Sequence, residues 1–395
     1  MQIPLEWLGI PPEFSLNIMT ARGYQRFVQS AISDWLWRGK NTGFISADFG
    51  GVHIASAKGG RAENQDRAIF LRFQSPIREQ PAIACIVLCD GMGGMQSGSA
   101  SAVLAISTFA SSLVTGTNGR LPERLELATE AANQAVYKEY EGKGGATLSA
   151  VACGNTGEWS AINIGDSRVY EFLASHGLRQ ISTDDTLENM LSDIRLSKPS
   201  PEFRKLVRYI GMGDGLAAQS ISLGQAQEVT WFVLASDGAY AITDTIFKGI
   251  ISHSETALDA ARKITIVSQW IGGSDNSTMA ILDPHAKLFS ARESIKASSL
   301  QIVGVPGCLE LVVQNERKKA ATPTPSFKMR KALQSRNQDK LDHPTETVDT
   351  TRKAESSNVK EKTNLRAIEQ NGIKSNHEES TVPQLDIEIY ESGKS

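Results

Sequence analysis

The chain has 395 residues, 40% hydrophobic and 22% charged, enough for a sizeable core or two domains and ordinary for a protein that folds in water. Its formal net charge of −3 gives no global pull toward nucleic acid or an anionic membrane, so neither is expected as a partner. The four cysteines, Cys85, Cys89, Cys153 and Cys308, lack zinc-type spacing and read as buried thiols in a reducing cytoplasm.

Residues 1–14 are fairly apolar, but Glu6, Pro11, Pro12 and Glu13 interrupt them and no basic segment precedes them, so a signal peptide is not expected. No stretch is expected to reach the roughly 18 uncharged apolar residues of a membrane span. Tyr24, Phe27, Val28, Ile32, Trp35 and Leu36 recur at helical spacing and make residues 1–45 a helical lead-in. Residues 46–284 mix strand-like runs (VHIASA, DRAIFLRF, AIACIVLCD, TLSAVACG, EWSAINIG, SRVYEFL, VTWFVLASD, STMAILD) with helical stretches at 96–115, 121–141 and 255–271. Short turns such as CGNTGEW and GDSR join many of the strands, which favours an α+β domain of antiparallel sheet over a βαβ fold.

After Pro284 the character changes. Residues 285–314 hold one expected hairpin, SLQIVGVPGCLELVV, turning at Val305-Pro306-Gly307. Residues 315–395 are polar and read as a disordered tail. In that tail the basic cluster Arg317, Lys318, Lys319, Lys328, Arg330 and Lys331 reads as a solvated linker. Near its end Leu385, Ile387 and Ile389 alternate, the pattern of a strand added to a partner's sheet edge.

The chemistry starts at VLCDGMGG. Asp90 ends a buried apolar run, where a carboxylate can face a cleft, and Gly91, Gly93 and Gly94 let backbone approach a ligand. Ser97, Ser99 and Ser101 can cap the helix that follows. Four more aspartates stand at strand ends, several beside glycine: Asp66 before AIFLRF, Asp166 after INIG, Asp237 after FVLAS and Asp275 before the final strand. Singly each fits a turn. Five in the same context, gathered by one fold, make an acidic oxygen site that cations must neutralise, and magnesium and manganese prefer such donors. Two such ions can share a water, lower its pKa and align it for attack on phosphorus, with Arg61 as a forked phosphate clamp.

In order, GGRAENQDR, VLCDGMGG, GGATLSAV, NIGDSRVY, LASDG and SDN resemble the metal-dependent protein phosphatase 2C family of Ser/Thr phosphatases, in its bacterial style, across residues 46–284. The resemblance implies a four-layer αββα sandwich of two antiparallel sheets flanked by helices, with two or three Mn2+ or Mg2+ ions in a cleft at one end. It implies that Asp90 bridges two ions, that the Gly91 carbonyl binds one, and that Asp237 and Asp275 bind the other. Asp66 would support that centre directly or through water, Asp166 would help hold a third, weaker ion, Arg61 would hold the substrate phosphate, and Asn276 would orient Asp275. The implied activity is hydrolysis of phosphoserine and phosphothreonine on proteins by a metal-bridged water attacking in line, opposed by a Ser/Thr kinase. Two departures stand out. Met92 occupies the place where many eukaryotic members carry histidine, so leaving-group protonation would fall to metal-bound water, and Gln65 replaces a carboxylate. ISTDDTLENML leads into an implied flap at 194–224, the least family-like part of the core. The alternative is a catalytically silent phosphatase fold that binds phosphoproteins or serves as a scaffold; a nuclease or nucleotide phosphohydrolase is disfavoured by the charge balance and the lack of a nucleotide-cradling motif.

Overall fold

The computed structural model describes residues 21–77, 80–92, 97–116, 119–191, 205–315 and 385–392. Its strands form two antiparallel sheets. The six-stranded sheet runs β1 (Gly43–Ser46), β2 (Val52–Ala57), β11 (Ser277–Leu282), β10 (Trp231–Ala235), β7 (Arg168–Leu173), β8 (Gly177–Gln180). The eight-stranded sheet runs β14 (Leu385–Ser392), β13 (Gly307–Asn315), β12 (Ser298–Gly304), β3 (Arg67–Gln74), β4 (Ile83–Cys89), β5 (Leu148–Gly154), β6 (Trp159–Ile164), β9 (Ser220–Gly224).

The apolar runs explain the layers. In β4 every residue is buried, and successive side chains serve two cores. Ile83, Cys85, Val87 and Cys89 meet the helices α1 (Ala21–Arg38), α2 (Gly98–Thr115) and α3 (Leu121–Tyr140), whereas Ala84, Ile86 and Leu88 face the other sheet. In β11, Ala280 and Leu282 join that same inter-sheet core, while Met279 and Ile281 pack toward α5 (Asp237–Tyr240), α6 (Asp244–Ser252) and α7 (Ala257–Trp270). Helices, sheet, sheet, helices is the αββα order, as expected. A short helix, α4 (Leu187–Met190), lies in the α+β connection after β8.

Several local expectations need correction. Among the described residues α2 is long and apolar enough by length and composition to cross a membrane, contrary to the reading that no stretch would be; 78% of it is buried, because it lies on the sheet beside α1 and α3. Ser97 sits at its start with a left-handed φ of 60° and makes no side-chain cap bond. Ser99 instead accepts from Arg67 Nη2 at 2.8 Å. The implied flap at 194–224 is neither borne out nor overturned; in its described part Asn133 Oδ1 accepts from the Gly211 amide at 2.9 Å, Asn133 Nδ2 donates to the Gly213 carbonyl at 2.7 Å, and Ser220–Gly224 is the edge strand β9. Residues 192–204 lie outside the described residues.

The tail is corrected at its end. Leu385–Ser392, expected within a disordered segment, pairs antiparallel with β13 from Asn315↔Leu385 to Cys308↔Ser392. The alternation expected to recruit a partner's sheet is satisfied by this chain's own edge, since β13 otherwise offers an unpaired row of backbone donors and acceptors. Residues 316–384, with the basic cluster, lie outside the described residues, as do Gly93, Gly94 and residues 1–20. All four cysteines are free, three of them buried.

Candidate metal and phosphate site

Antiparallel pairing brings the acidic strand ends together. Arg67 pairs with Cys89 and Leu148 with Ile164, so the start of β3, the end of β4, the start of β5 and the end of β6 share one edge of the sandwich. In the other sheet Ala57 pairs with Ser277 and Ala235 with both Met279 and Arg168, so the ends of β2 and β10 and the starts of β7 and β11 share one edge too. The two edges meet. Arg61, Asp90, Gly91, Asp166, Asp237 and Asp275 line one cleft of about 210 Å³ with Gln65, Met92, Thr147 and Leu206. Asp66 and Asn276 lie behind it, at 1% and 4% exposure.

Backbone contacts fix each position. The Asp90 amide donates to Thr147 Oγ1 at 3.0 Å, and the Thr147 amide returns a bond to the Asp90 carbonyl at 2.8 Å. At Gly91 a Cβ would stand 2.3 Å from the Gly98 carbonyl oxygen, so only glycine lets the chain pass there. Asn276 does more than the resemblance implied. Its amide donates to Asp275 Oδ1 at 2.8 Å, its side-chain Nδ2 holds the carbonyls of Lys58 and Glu63, and its Oδ1 accepts from the Gln65 amide. One residue therefore orients Asp275 through its backbone and moors the Arg61 loop through its side chain.

Electrostatics mark the same cluster. Burial, reinforced by the carboxylates of Asp66, Asp237 and Asp166, holds the Asp90 carboxyl well above its usual range. Burial and then Asp275 raise Asp237, and burial followed by Asp237 pushes Asp166 up to about 6. Burial also raises Asp66, against donors at Thr278 and Ser236, the latter 2.8 Å from Oδ2. Asp66 Oδ1 is buried with no hydrogen-bond partner among the described residues. Arg61 Nη2 donates to Asp275 Oδ2 at 2.6 Å.

An orphaned buried carboxylate oxygen and mutually repelling hard oxygen donors fit Mn2+ or Mg2+. Among the described residues no three His, Cys, Asp or Glu side chains are gathered into a finished cage. One oxygen of Asp275 is held by Arg61, and a Gly91 carbonyl is a backbone donor, so the cluster is assembled without being closed.

Sequence reading missed the supports: Thr147 and Ser236 are small hydroxyls without a spacing signal, and Tyr240 lies in DGAY with nothing to mark it. Beside the cleft, and sharing Asp166 and Asp237 with it, opens a polar cavity of about 910 Å³ lined also by Arg168, Asp184 and Tyr240.

No model of a known protein family matches the chain. By sequence it is 29% identical over 209 residues to the serine/threonine protein phosphatase PstP of Mycobacterium tuberculosis, a match covering 50% of this chain and 40% of that relative. By structure it is similar to a bacterial serine phosphatase, with a TM-score of 0.52 and 18% identity over 60% of this chain and 98% of that one. It is also similar to the serine/threonine phosphatase Stp1 of Staphylococcus aureus, with a TM-score of 0.51 and 18% identity over 62% of this chain and 98% of that one. At that identity the structural likeness shows the fold, and the sequence match supplies the kinship. The chain is thus similar over half its length to a bacterial serine/threonine protein phosphatase, and it shares with bacterial serine/threonine phosphatases a sandwich fold, here with an aspartate-lined cleft at the sheet ends.

Proposed function

We propose that this domain hydrolyses phosphoserine and phosphothreonine on proteins, using two or three Mn2+ or Mg2+ ions. The observation that carries the reading is the convergence of Asp90, Asp166, Asp237, Asp275 and Arg61, from five separate stretches of chain, on one cleft. Asp90, the Gly91 carbonyl, Asp237 and Asp275 would hold the two main ions, with Asp66 behind them and Asp166 toward a weaker one. Bound there, such ions lower the pKa of water and neutralise charge on phosphoryl oxygens. Arg61 gives one nitrogen to Asp275 and keeps its other guanidinium donors for phosphate. Asn276 keeps Arg61's loop and Asp275 in register. Met92 lines the cleft and supplies no proton.

The reading calls for phosphoprotein substrates and a Ser/Thr kinase that phosphorylates them. A cytoplasmic location is supported by four free cysteines. The test is phosphate release from a phosphothreonine peptide by the purified full chain, with manganese or with chelator, beside Asp237→Asn. Release that needs the metal and is lost in the variant is expected. A folded, manganese-loaded protein that releases none would overturn the reading in favour of a phosphoprotein-binding module.

A further inference from the structure

Asp166 follows β6 and Asp237 follows β10, and one side chain ties them together. Asp237 is the first residue of α5 and Tyr240 the last, and Tyr240 Oη donates to the backbone carbonyl of Asp166 at 2.8 Å.

The ring that carries this hydroxyl is itself held. The Arg168 guanidinium lies 3.8 Å from the Tyr240 ring centroid, a cation–π contact. Arg168 is fixed in turn by Asp184, which accepts from Nε at 3.1 Å and 3.0 Å and from Nη2 at 2.8 Å. Gln180 Nε2 donates to Asp184 Oδ1 at 3.0 Å and Asn189 Nδ2 to its carbonyl at 2.9 Å. On the far side of Asp166, Ser167 Oγ shares a hydrogen bond with Thr147 Oγ1, the group that accepts from the Asp90 amide. The Asp166 backbone is therefore tied to the Asp237 helix by Tyr240 and to the Asp90 turn by Ser167.

We infer that Tyr240 is a positioning residue, buttressed by Arg168 and Asp184, that sets the spacing between Asp166 and Asp237 and with it the affinity for the cation that Asp166 helps to hold. The inference rests on the metal-centre reading above. Nothing in Tyr240 touches the reacting atoms, so losing its hydroxyl should act on metal affinity before it acts on substrate.

Manganese binding to the full chain is measured by isothermal titration calorimetry for the wild type, Tyr240→Phe and Asp184→Asn, and phosphopeptide hydrolysis is followed against manganese concentration. Loss of one hydrogen bond predicts that the weakest manganese step loosens about 5- to 10-fold in Tyr240→Phe. The manganese needed for half-maximal activity should rise in proportion, with the phosphopeptide KM at saturating manganese unmoved. Asp184→Asn should shift the same step less. Identical isotherms for wild type and Tyr240→Phe, or a raised KM with unchanged manganese affinity, would overturn the inference while leaving the metal centre standing. A wild type that binds no manganese would remove the metal centre and the inference together. If Tyr240→Phe shows no cooperative melt, Asp184→Asn decides, and an isotherm equal to wild type overturns the inference.

Discussion

Arg61 and Asp275, 214 residues apart in sequence, meet at 2.6 Å, so the residue expected to grip phosphate also neutralises a residue expected to grip metal. The two roles compete for one side chain, and substitution separates them. Arg61→Ala should lower kcat/KM for a phosphopeptide by about 10²-fold, the scale of a lost charge-assisted fork. It should leave manganese bound as tightly as in the wild type or more so, because a cation beside Asp275 has gone. Steady-state kinetics with a manganese titration of the same sample checks both halves.

The Asp166 carboxyl predicts how pH acts on the metal-free protein. Its folded value of about 6 lies above the usual carboxylate range, so folding takes up a proton between that range and about 6. The stability this gives is present below the ordinary carboxylate pKa and is lost as pH rises through about 6. With chelator, Asp166→Asn should therefore melt higher than wild type at pH 7, by roughly 2 to 4 °C, and the gap should close toward pH 4. Calorimetric melts across that range check it.

Gly238 follows Asp237, and a Cβ there would stand 1.9 Å from the Asn276 carbonyl oxygen. The clash is with backbone and cannot be relieved by turning a side chain. Gly238→Ala should force α5 away from the Asp275 turn, costing about 1 to 3 kcal/mol of stability and most manganese binding. Thermal melts and manganese calorimetry on one preparation check both effects.

The strand β14 covers the outer edge of β13. Removing residues 384–395 should leave that edge unpaired, lower the melting temperature and promote concentration-dependent association. Size-exclusion chromatography over a range of protein concentrations, beside a melt, measures this.

The sequence shows the site more clearly than its supports. Asp90, Asp166 and Asp237 each close an apolar run, and antiparallel pairing converts that pattern into a shared cleft. The strand β4 reads plainly because both its faces are buried, which makes the run continuous. Where packing is thinner the signal fades. The four-residue strands β1 and β8 are too short to show a period, and β9 falls in a polar stretch whose partner β6 supplies the order. The strand β14 showed its alternation, but its composition placed it in a tail, and only the open edge of β13 makes it a strand of this sheet. Tyr240 is invisible for another reason: its bond is to a backbone carbonyl 74 residues away, and any sequence at Asp166 would provide that oxygen.

The place of β11 between β2 and β10 has a kinetic meaning. A strand from the end of the domain must slot between one from its beginning and one already paired with β7, a high-contact-order step that closes late and slowly. Asp275 and Asn276 arrive with that strand, so helices and most of the larger sheet can form in a chain that still lacks its cleft. During refolding, regained turnover should lag regained secondary structure. On the proposed function, a nascent or clipped chain ending before Ser277 would strip no phosphate, and turnover would be the late signal that this part of the fold is in place.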